Sequence, residues 1–308
     1  MYHFIVNPNA RSGLGKETWA IIEPVLVERN IDYQIYETKY QRHATAITRK
    51  ITAKEGPHNI VVLGGDGTVN EVVNGISHLD EVTLGYIPIG SSNDFARGFK
   101  LPKDILKALD SILTPTGFAY MDVGFITYGE NKKRRFGVSS GLGFDAGVCH
   151  EIMISKFKTF FNKIKLGKLG YTAVALSQLI KAKPASMDIT IDGHTTHYDR
   201  VLFAAAMNHK YEGGGFMFAP KADPCDGALD FIVVNDISKP YVLCLLPLAF
   251  KGLHTFSKKI SLTRGKTATF KSNLSLPIHT DGEPVFLHKE LNIGMEEKKL
   301  RVIIKPSR

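Results

Sequence analysis

Residues Ile60-Val61-Val62-Leu63-Gly64-Gly65-Asp66-Gly67-Thr68-Val69-Asn70-Glu71-Val72-Val73-Asn74-Gly75-Ile76 change hydrophobic period within a few positions. Four apolar residues without alternation suit a strand covered on both faces, as in parallel sheets flanked by helices, and the strand is expected to end at Leu63. Val69, Val72, Val73 and Ile76 then recur at i, i+3, i+4 and i+7, while Thr68 and Glu71 have capping-box spacing, so a helix is expected from Thr68. Between strand and helix, Gly64, Gly65 and Gly67 let the backbone come close to a ligand. The helix N-terminus adds free N–H groups and a positive dipole end, a setting for phosphate. Asp66 repels a bare phosphate, and a Mg²⁺ arriving with a nucleotide reconciles the two. No Gly-Lys-Ser/Thr follows, and Asn70 stands where a dinucleotide fingerprint needs its last glycine, so neither common phosphate loop is present. A tight turn with Asp66 in solvent is the bland alternative, and glycine content alone leaves the two even.

The chain has 308 residues, room for two domains, and its 44% hydrophobic and 22% charged residues are those of a globular protein. A net charge of +9 favours an anionic partner: nucleotide, nucleic acid or an acidic membrane surface. Cys149, Cys225 and Cys244 show no metal spacing, which points to a reducing compartment. Met1 to Val6 lacks a basic region before its apolar run and reads as a strand, not a signal peptide. Tyr241 to Phe250, the most apolar stretch, is interrupted by Pro247 and is half the about 20 residues that a spanning helix needs. No repeat, low-complexity tract or nucleic-acid motif emerges.

Other loops echo the central one. Residues 2–6 form an expected strand before Asn7-Pro8-Asn9-Ala10-Arg11-Ser12-Gly13, with a helix from about Glu17 to Arg29. Leu84 to Ile89 is a further strand opening into Gly90-Ser91-Ser92-Asn93-Asp94-Phe95-Ala96-Arg97-Gly98, where Arg97 can pair with Asp94 or meet a phosphate. Three small polar loops thus follow strands, where open α/β sheets bind ligands. Beyond Asp110 the texture becomes strands and turns, Met121 to Phe125 and Phe136 to Ser140 among them. One expected helical exception, about Glu151 to Lys183, interleaves Lys156, Lys158, Lys163, Lys165 and Lys168 with aromatics, as a membrane-facing or simply solvated helix does. Asp223-Pro224-Cys225-Asp226-Gly227-Ala228 offers oxygens for a hard cation or a plain Asp-Gly hairpin. Thr280-Asp281-Gly282-Glu283 is a tight turn whose carboxylates suit a general base and its partner. The histidines, His209 and His279 included, are scattered without a nucleophile and read as surface or core residues.

Together these loops resemble the diacylglycerol kinase catalytic-domain family, shared with sphingosine and ceramide kinases and more remotely with NAD kinases and phosphofructokinases. Gly64-Gly65-Asp66-Gly67-Thr68 resembles its signature. Asn7-Pro8, Thr68 to Gly75, the Gly90 to Gly98 loop, Asp226-Gly227 and Asp281-Gly282-Glu283 follow in the family's order over nearly the whole chain. The chain is most similar to the soluble bacterial lipid kinases of the group. The resemblance implies an N-terminal α/β nucleotide-binding domain, about 1–125, and a C-terminal β-sandwich, about 126–289, with the site in the cleft. It leaves open a return of about 290–308 to the first domain. By motif position it implies that Asn7, Pro8, Ser12, Gly13, Thr38, Gly65, Asp66, Gly67, Thr68, Asn70, Glu71 and Ser91 line an ATP site. Asp66 would help hold catalytic Mg²⁺, and Asp281 or Glu283 would be the base, the choice undecided. Asp226, with main-chain oxygens of Asp223 and Ala228, would hold a structural Mg²⁺. Ser91 stands where the family commonly has threonine, and Pro224 alters the turn before Asp226.

The activity expected is ATP- and Mg²⁺-dependent phosphorylation of a lipid alcohol, diacylglycerol first. A kinase for another lipid, an NAD-kinase-like enzyme and a non-catalytic lipid- or nucleotide-binding regulator are the alternatives. Expected with it are a cytoplasmic protein at the inner membrane face, an anionic lipid surface met through Lys156, Lys158, Lys163, Lys165 and Lys168, no nucleic acid, and homodimerisation as the default.

Overall fold

The computed structural model describes residues 1–147, 179 and 181–305. The lysine-rich run from Lys156 to Lys168, and Cys149, lie outside the described residues. The first half alternates β1 (Tyr2–Val6), α1 (Leu14–Glu28), β2 (Tyr33–Glu37), α2 (His43–Thr52), β3 (His58–Gly64), α3 (Asp66–Gly75) and β4 (Val82–Pro88). A short α4 (Asp94–Gly98), α5 (Ile105–Leu113) and β5 (Gly117–Met121) follow. The strand order is β2-β1-β3-β4-β15-β5, where β15 is Leu300–Ile304. β1 to β4 are mutually parallel, and β15 returns from the far end of the chain to lie parallel to β4 and antiparallel to β5.

The central strands β1, β3 and β4 are buried on both faces along most of their length because their side chains are mostly apolar. Ile5, Ile60 and Val62 pack with Ala44 of α2 and Val69, Val72 and Val73 of α3. Phe4, Val6, Val61 and Leu63 pack on the other side with Trp19, Ile22 and Leu26 of α1 and Leu109 and Ile112 of α5. Each layer follows from the strand period of two against helical faces of period 3.6.

The second half forms β6 (Gly124–Tyr128), β7 (Lys132–Phe136), β8 (Ser139–Gly143), β9 (Ala185–Ile191), β10 (His194–Met207), β11 (Leu229–Asn235), α6 (Lys239–Ala249), β12 (Ile260–Gly265), β13 (Ala268–Thr280) and β14 (Glu283–Met295). These strands make a nine-stranded antiparallel sheet that folds on itself: β9 pairs with both β10 and β13 off the main path. Ile126, Phe136, Leu142, Ala204, Phe231, Phe270, Ile278 and Leu291 fill its interior.

Several boundaries differ from expectation. β3 runs on to Gly64, and α3 starts at Asp66, because Gly65 is extended and its carbonyl already accepts from Thr68 and Val69 N–H. The Thr68/Glu71 capping box does not form. α1 starts at Leu14 rather than Glu17, after left-handed Arg11, Ser12 and Gly13. Met121 to Phe125 is not one strand: Asp122 and Val123 carry the chain from the first sheet to the second. Phe136 to Ser140 is likewise split between β7 and β8.

Candidate active site

Four parallel strands deliver their loops to one edge. Asn7 follows β1, Thr38 follows β2, Gly64 to Thr68 follow β3, and Gly90 follows β4. Backbone bonds knit them: Asn7 N–H donates to Leu63 O at 2.9 Å, Thr38 N–H to Val6 O at 2.8 Å and Ile89 N–H to Gly64 O at 2.9 Å. Asn7 Nδ2 donates to Thr68 Oγ1 at 3.3 Å, tying the first loop to the glycine loop. A Cβ on Gly90 would lie 2.6 Å from Gly65 Cα, so these two loops touch backbone to backbone and tolerate no side chain between them. Pro8 and Gly13 are half-buried in this rim, while Ser12 and Ser91 are exposed on it.

Asp66 begins α3, half-buried, and its Oδ1 accepts from Phe95 N–H at 3.2 Å. Burial first, then the neighbouring Asp94 carboxylate, pushes its pKa up to about 7. Asp94 is itself buried, accepts from Gly214 N–H at 2.7 Å and faces Arg97 Nε at 3.4 Å. Its Oδ1 faces only Arg97 and makes no hydrogen bond among the described residues, and desolvation raises its pKa. Two hard oxygen donors that resist ionisation together, one with a buried oxygen that accepts no hydrogen bond among the described residues, fit a divalent cation.

The opposite wall is the β13–β14 hairpin. Thr280 and Glu283 pair across a two-residue loop in which Asp281 (φ 50) and Gly282 (φ 80) are both left-handed, the Asp-Gly type I′ turn. Asp281 is saturated. Its Oδ1 accepts from Val138 N–H at 2.7 Å and Ser139 N–H at 3.0 Å, and its Oδ2 from Gly137 N–H at 2.9 Å and Asn70 Nδ2 at 2.8 Å. Glu283 is different. Its carboxylate makes no hydrogen bond among the described residues, and its Oε1 would be 2.6 Å from a Cβ on Gly67. A half-buried carboxylate with open lone pairs, set against the glycine loop, has acceptor sites left for a ligand.

Asn70 and Arg134 hold the two walls together. The amide of Asn70 on α3 donates to Asp281 and accepts from Arg134 Nη2 at 3.1 Å; Arg134 Nη1 donates to Pro284 O at 3.3 Å. Arg135 next to it closes the C-terminus of α3, donating to Ile76 O at 2.6 Å and Val73 O at 3.2 Å, with Glu296 Oε1 at 2.6 Å. Glu71 serves elsewhere than expected. Its carboxylate accepts from Arg42 N–H at 2.7 Å and Ala44 N–H at 3.1 Å, so it caps α2 instead of lining the cleft with free oxygens.

At the second expected metal site, Asp226 with main-chain oxygens of Asp223 and Ala228, the one carboxylate is already engaged by protein groups. Asp226 Oδ1 accepts from Ala228 N–H at 3.2 Å and Oδ2 meets Arg264 at 2.5 Å, while Asp223 O accepts from Asp226 N–H at 3.4 Å and Asp223 Oδ1 from Cys225 N–H at 3.0 Å. Lys299 Nζ adds bonds to Cys225 O at 2.8 Å and an ion pair with Asp122 at 3.0 Å. Arg264 therefore brings positive charge to Asp226, and Lys299 brings it to the neighbouring Cys225 carbonyl and Asp122. The turn is not a hairpin either, since β11 follows a long excursion from β10.

His279 is neither a surface residue nor an idle core one. Fully buried, its Nε2 lies 3.0 Å from Asp145 Oδ2 and 3.1 Å from Glu212 Oε1, and its Nδ1 accepts from Gly282 N–H at 3.2 Å. The two carboxylates hold the proton on Nε2, which leaves the Nδ1 lone pair to brace the turn that carries Asp281 and Glu283. The sequence offered no signal for this: the three residues are 67 or more positions apart, from β8's end, the loop after β10, and β13.

The comparisons agree with this architecture. The family model described as the diacylglycerol kinase catalytic domain matches residues 1–124, and that described as the YegS C-terminal NAD kinase beta sandwich-like domain matches 142–293. The Bacillus subtilis protein YtlR, named provisionally as a lipid kinase, is 31% identical over 92% of this chain and 93% of its own length. The chain belongs to the bacterial lipid kinases of the diacylglycerol kinase family. A Bacillus subtilis protein named diacylglycerol kinase is 26% identical over 96% of both chains. A solved Bacillus anthracis structure, provisionally named a diacylglycerol kinase, superposes with a TM-score of 0.78 at 27% identity, covering 99% of this chain and 95% of its own. Yeast NADH kinase complexed with NADH shares the fold, with a TM-score of 0.57 at 12% identity over 99% of this chain and 84% of its own. As a lipid kinase the protein is a phosphotransferase, a class whose donor is ATP. No helix among the described residues is long and apolar enough to cross a membrane.

Proposed function

We propose that this chain transfers the γ-phosphoryl group of ATP to the hydroxyl of a lipid alcohol, diacylglycerol giving phosphatidic acid, with Glu283 as the base. What carries the reading is the contrast within one turn: the Asp281 carboxylate is consumed by four donors, while Glu283, two residues on, is free and faces the glycine loop. Relatives named diacylglycerol kinase, aligned over nearly the full length, support the acceptor. In-line phosphoryl transfer needs positioned groups and charge neutralisation more than a covalent intermediate.

Each part has a role in this scheme. The N–H groups at the start of α3, with the Asn7 and Gly90 loops, cradle the donor's phosphates. Asp66 and Asp94 would hold a Mg²⁺, which when bound offsets phosphate charge. Glu283 accepts the proton of the acceptor hydroxyl as its oxygen bonds to the γ-phosphorus and the bond to the β-phosphate oxygen breaks, releasing ADP. Asp281, Asn70 and Arg134 keep that carboxylate at its distance from Gly67. Mass spectrometry of a total lipid extract incubated with the protein, ATP and Mg²⁺ tests the substrate. Phosphatidic acid should appear, and its absence alongside phosphorylated NAD or no product at all would sink the proposal.

A further inference from the structure

Helix α6 is apolar on both faces. Val242, Leu245 and Ala249 are buried against β10 and β11, yet Tyr241, Leu243 and Cys244 on the outward side are exposed. The turn that follows adds Phe250 (51% exposed), Leu253 (53%) and Phe256 (66%). A helix apolar all round belongs inside a protein or in contact with lipid, and a contiguous exposed apolar patch marks an interaction surface. Phe216 stacks on Phe250 with ring centroids 4.2 Å apart, and Met217 N–H donates to Ala249 O at 2.8 Å, so the loop after β10 is part of the same surface.

Charge selects the occupant. From Ile237 to Thr280 the chain has no Asp or Glu. Lys251 and Lys258 flank the exposed apolar residues, and Lys210 and Lys221 border them from the packed loop. All four are exposed; Lys221 lies near enough to Asp230 to favour its charged form, and Lys251 and Lys258 make no ion pair among the described residues. Aromatic and aliphatic side chains flanked by Lys251 and Lys258 match the apolar interior and negative headgroups of an anionic bilayer. A protein partner's acidic rim would meet the lysines but leave bulky apolar groups without an equally deep medium.

The surface also leads to the chemistry. Phe216 closes the Glu212–Phe216 bridge around Gly213 to Gly215, Gly214 N–H holds Asp94, and Glu212 contacts His279. From this connection we infer that the α6 face, with Phe250, Leu253 and Phe256, seats the protein on an anionic membrane surface and turns the cleft toward it. The inference rests on the lipid kinase reading for its purpose but not for its test.

Cosedimentation with phosphatidylcholine vesicles, with and without phosphatidylglycerol, measures the binding directly. Wild type should bind the anionic vesicles, and Lys251→Gln/Lys258→Gln should lower the partition coefficient by about five-fold per lysine. Leu253→Ser/Phe256→Ser should lower binding to both vesicle types. Turnover on a detergent-dispersed short-chain diacylglycerol should stay at the wild-type value in each variant, since none of these residues is in the cleft. Undiminished vesicle binding by both variants overturns the inference. So does a dimer, seen by light scattering, that Phe256→Ser dissociates, because a second copy would then be the occupant. Phosphotransfer in detergent without vesicle binding sinks this surface alone. Vesicle binding with no phosphotransfer to any lipid sinks the kinase reading and leaves the surface standing.

Discussion

Asp281→Asn and Glu283→Gln should separate stability from rate. In the first variant one carboxylate oxygen becomes an amide NH₂, which must face two of the four donors now bonded: either Val138 and Ser139 N–H, or Gly137 N–H and Asn70 Nδ2. Two hydrogen bonds to a charged group are lost and donors are set against donors. At ~1.5–3 kcal/mol for each charge-assisted bond, the loss is roughly 3–6 kcal/mol. A chain of 308 residues shifts by about 1.5 °C per kcal/mol, so the thermal midpoint should fall by roughly 5–9 °C. Glu283→Gln breaks no hydrogen bond among the described residues, and its unfolding should stay within about 0.5 kcal/mol of wild type. Its turnover should drop by ~10²–10⁴, with the ATP KM little changed. Thermal unfolding followed by circular dichroism, paired with steady-state phosphorylation of dispersed diacylglycerol, reads both quantities. If Glu283→Gln keeps near-normal turnover while Asp281→Asn is as stable as wild type but inactive, the two roles are exchanged and the reasoning from hydrogen-bond saturation is wrong.

Other outcomes follow from the same geometry. Gly67→Ala should cut turnover with little loss of fold, because its methyl would meet Glu283 Oε1 at 2.6 Å; unchanged kinetics would move Glu283 away from the glycine loop. Mg²⁺ should raise the thermal midpoint of wild type but not of Asp66→Asn, and an equal rise in both would remove Asp66 from the cation site. His209 is fully buried against Phe95 and Phe99 with no partner for either ring nitrogen among the described residues, and desolvation lowers its pKa to about 3. The native state thus binds fewer protons than the unfolded one, so this stability is complete above pH 6.5 and is lost as pH falls toward 3. The loss reaches about 2 kcal/mol at pH 5. His209→Leu should flatten the acid limb of urea unfolding between pH 7 and 5 by that amount, and an unaltered limb would refute the assignment. His279→Leu should lower turnover more than it raises the ATP KM, since Gly282 N–H loses its acceptor, and an unaffected turnover would free the turn from His279.

What the sequence determined was local. The apolar run Ile60 to Leu63, the glycines after it and the i, i+3, i+4 spacing of Val69, Val72 and Val73 specify strand, loop and helix because backbone periodicity and glycine's conformational freedom act over a few residues. Several such loops in family order were enough to identify a lipid kinase and to gather Asn7, Gly65, Asp66, Thr68, Asp281 and Glu283 as candidates. The tertiary structure decided what each carboxylate does. Asp281 and Glu283 sit two residues apart in the same turn, and only the N–H groups of Gly137 to Ser139 and the Asn70 amide, brought from 142 to 211 positions away, mark one as held and the other as free. Glu71 likewise looked like a capping-box partner until α2 packed beside it and took its oxygens. Arg264 on β12 and Lys299 just before β15 bring positive charge to the Asp226 turn and its neighbour Asp122, and Asp145, Glu212 and His279 meet only when the second sheet folds on itself. A hydrogen bond or ion pair needs its partner within about 3 Å, and for polar side chains that partner is chosen by the fold, not by the neighbouring residues.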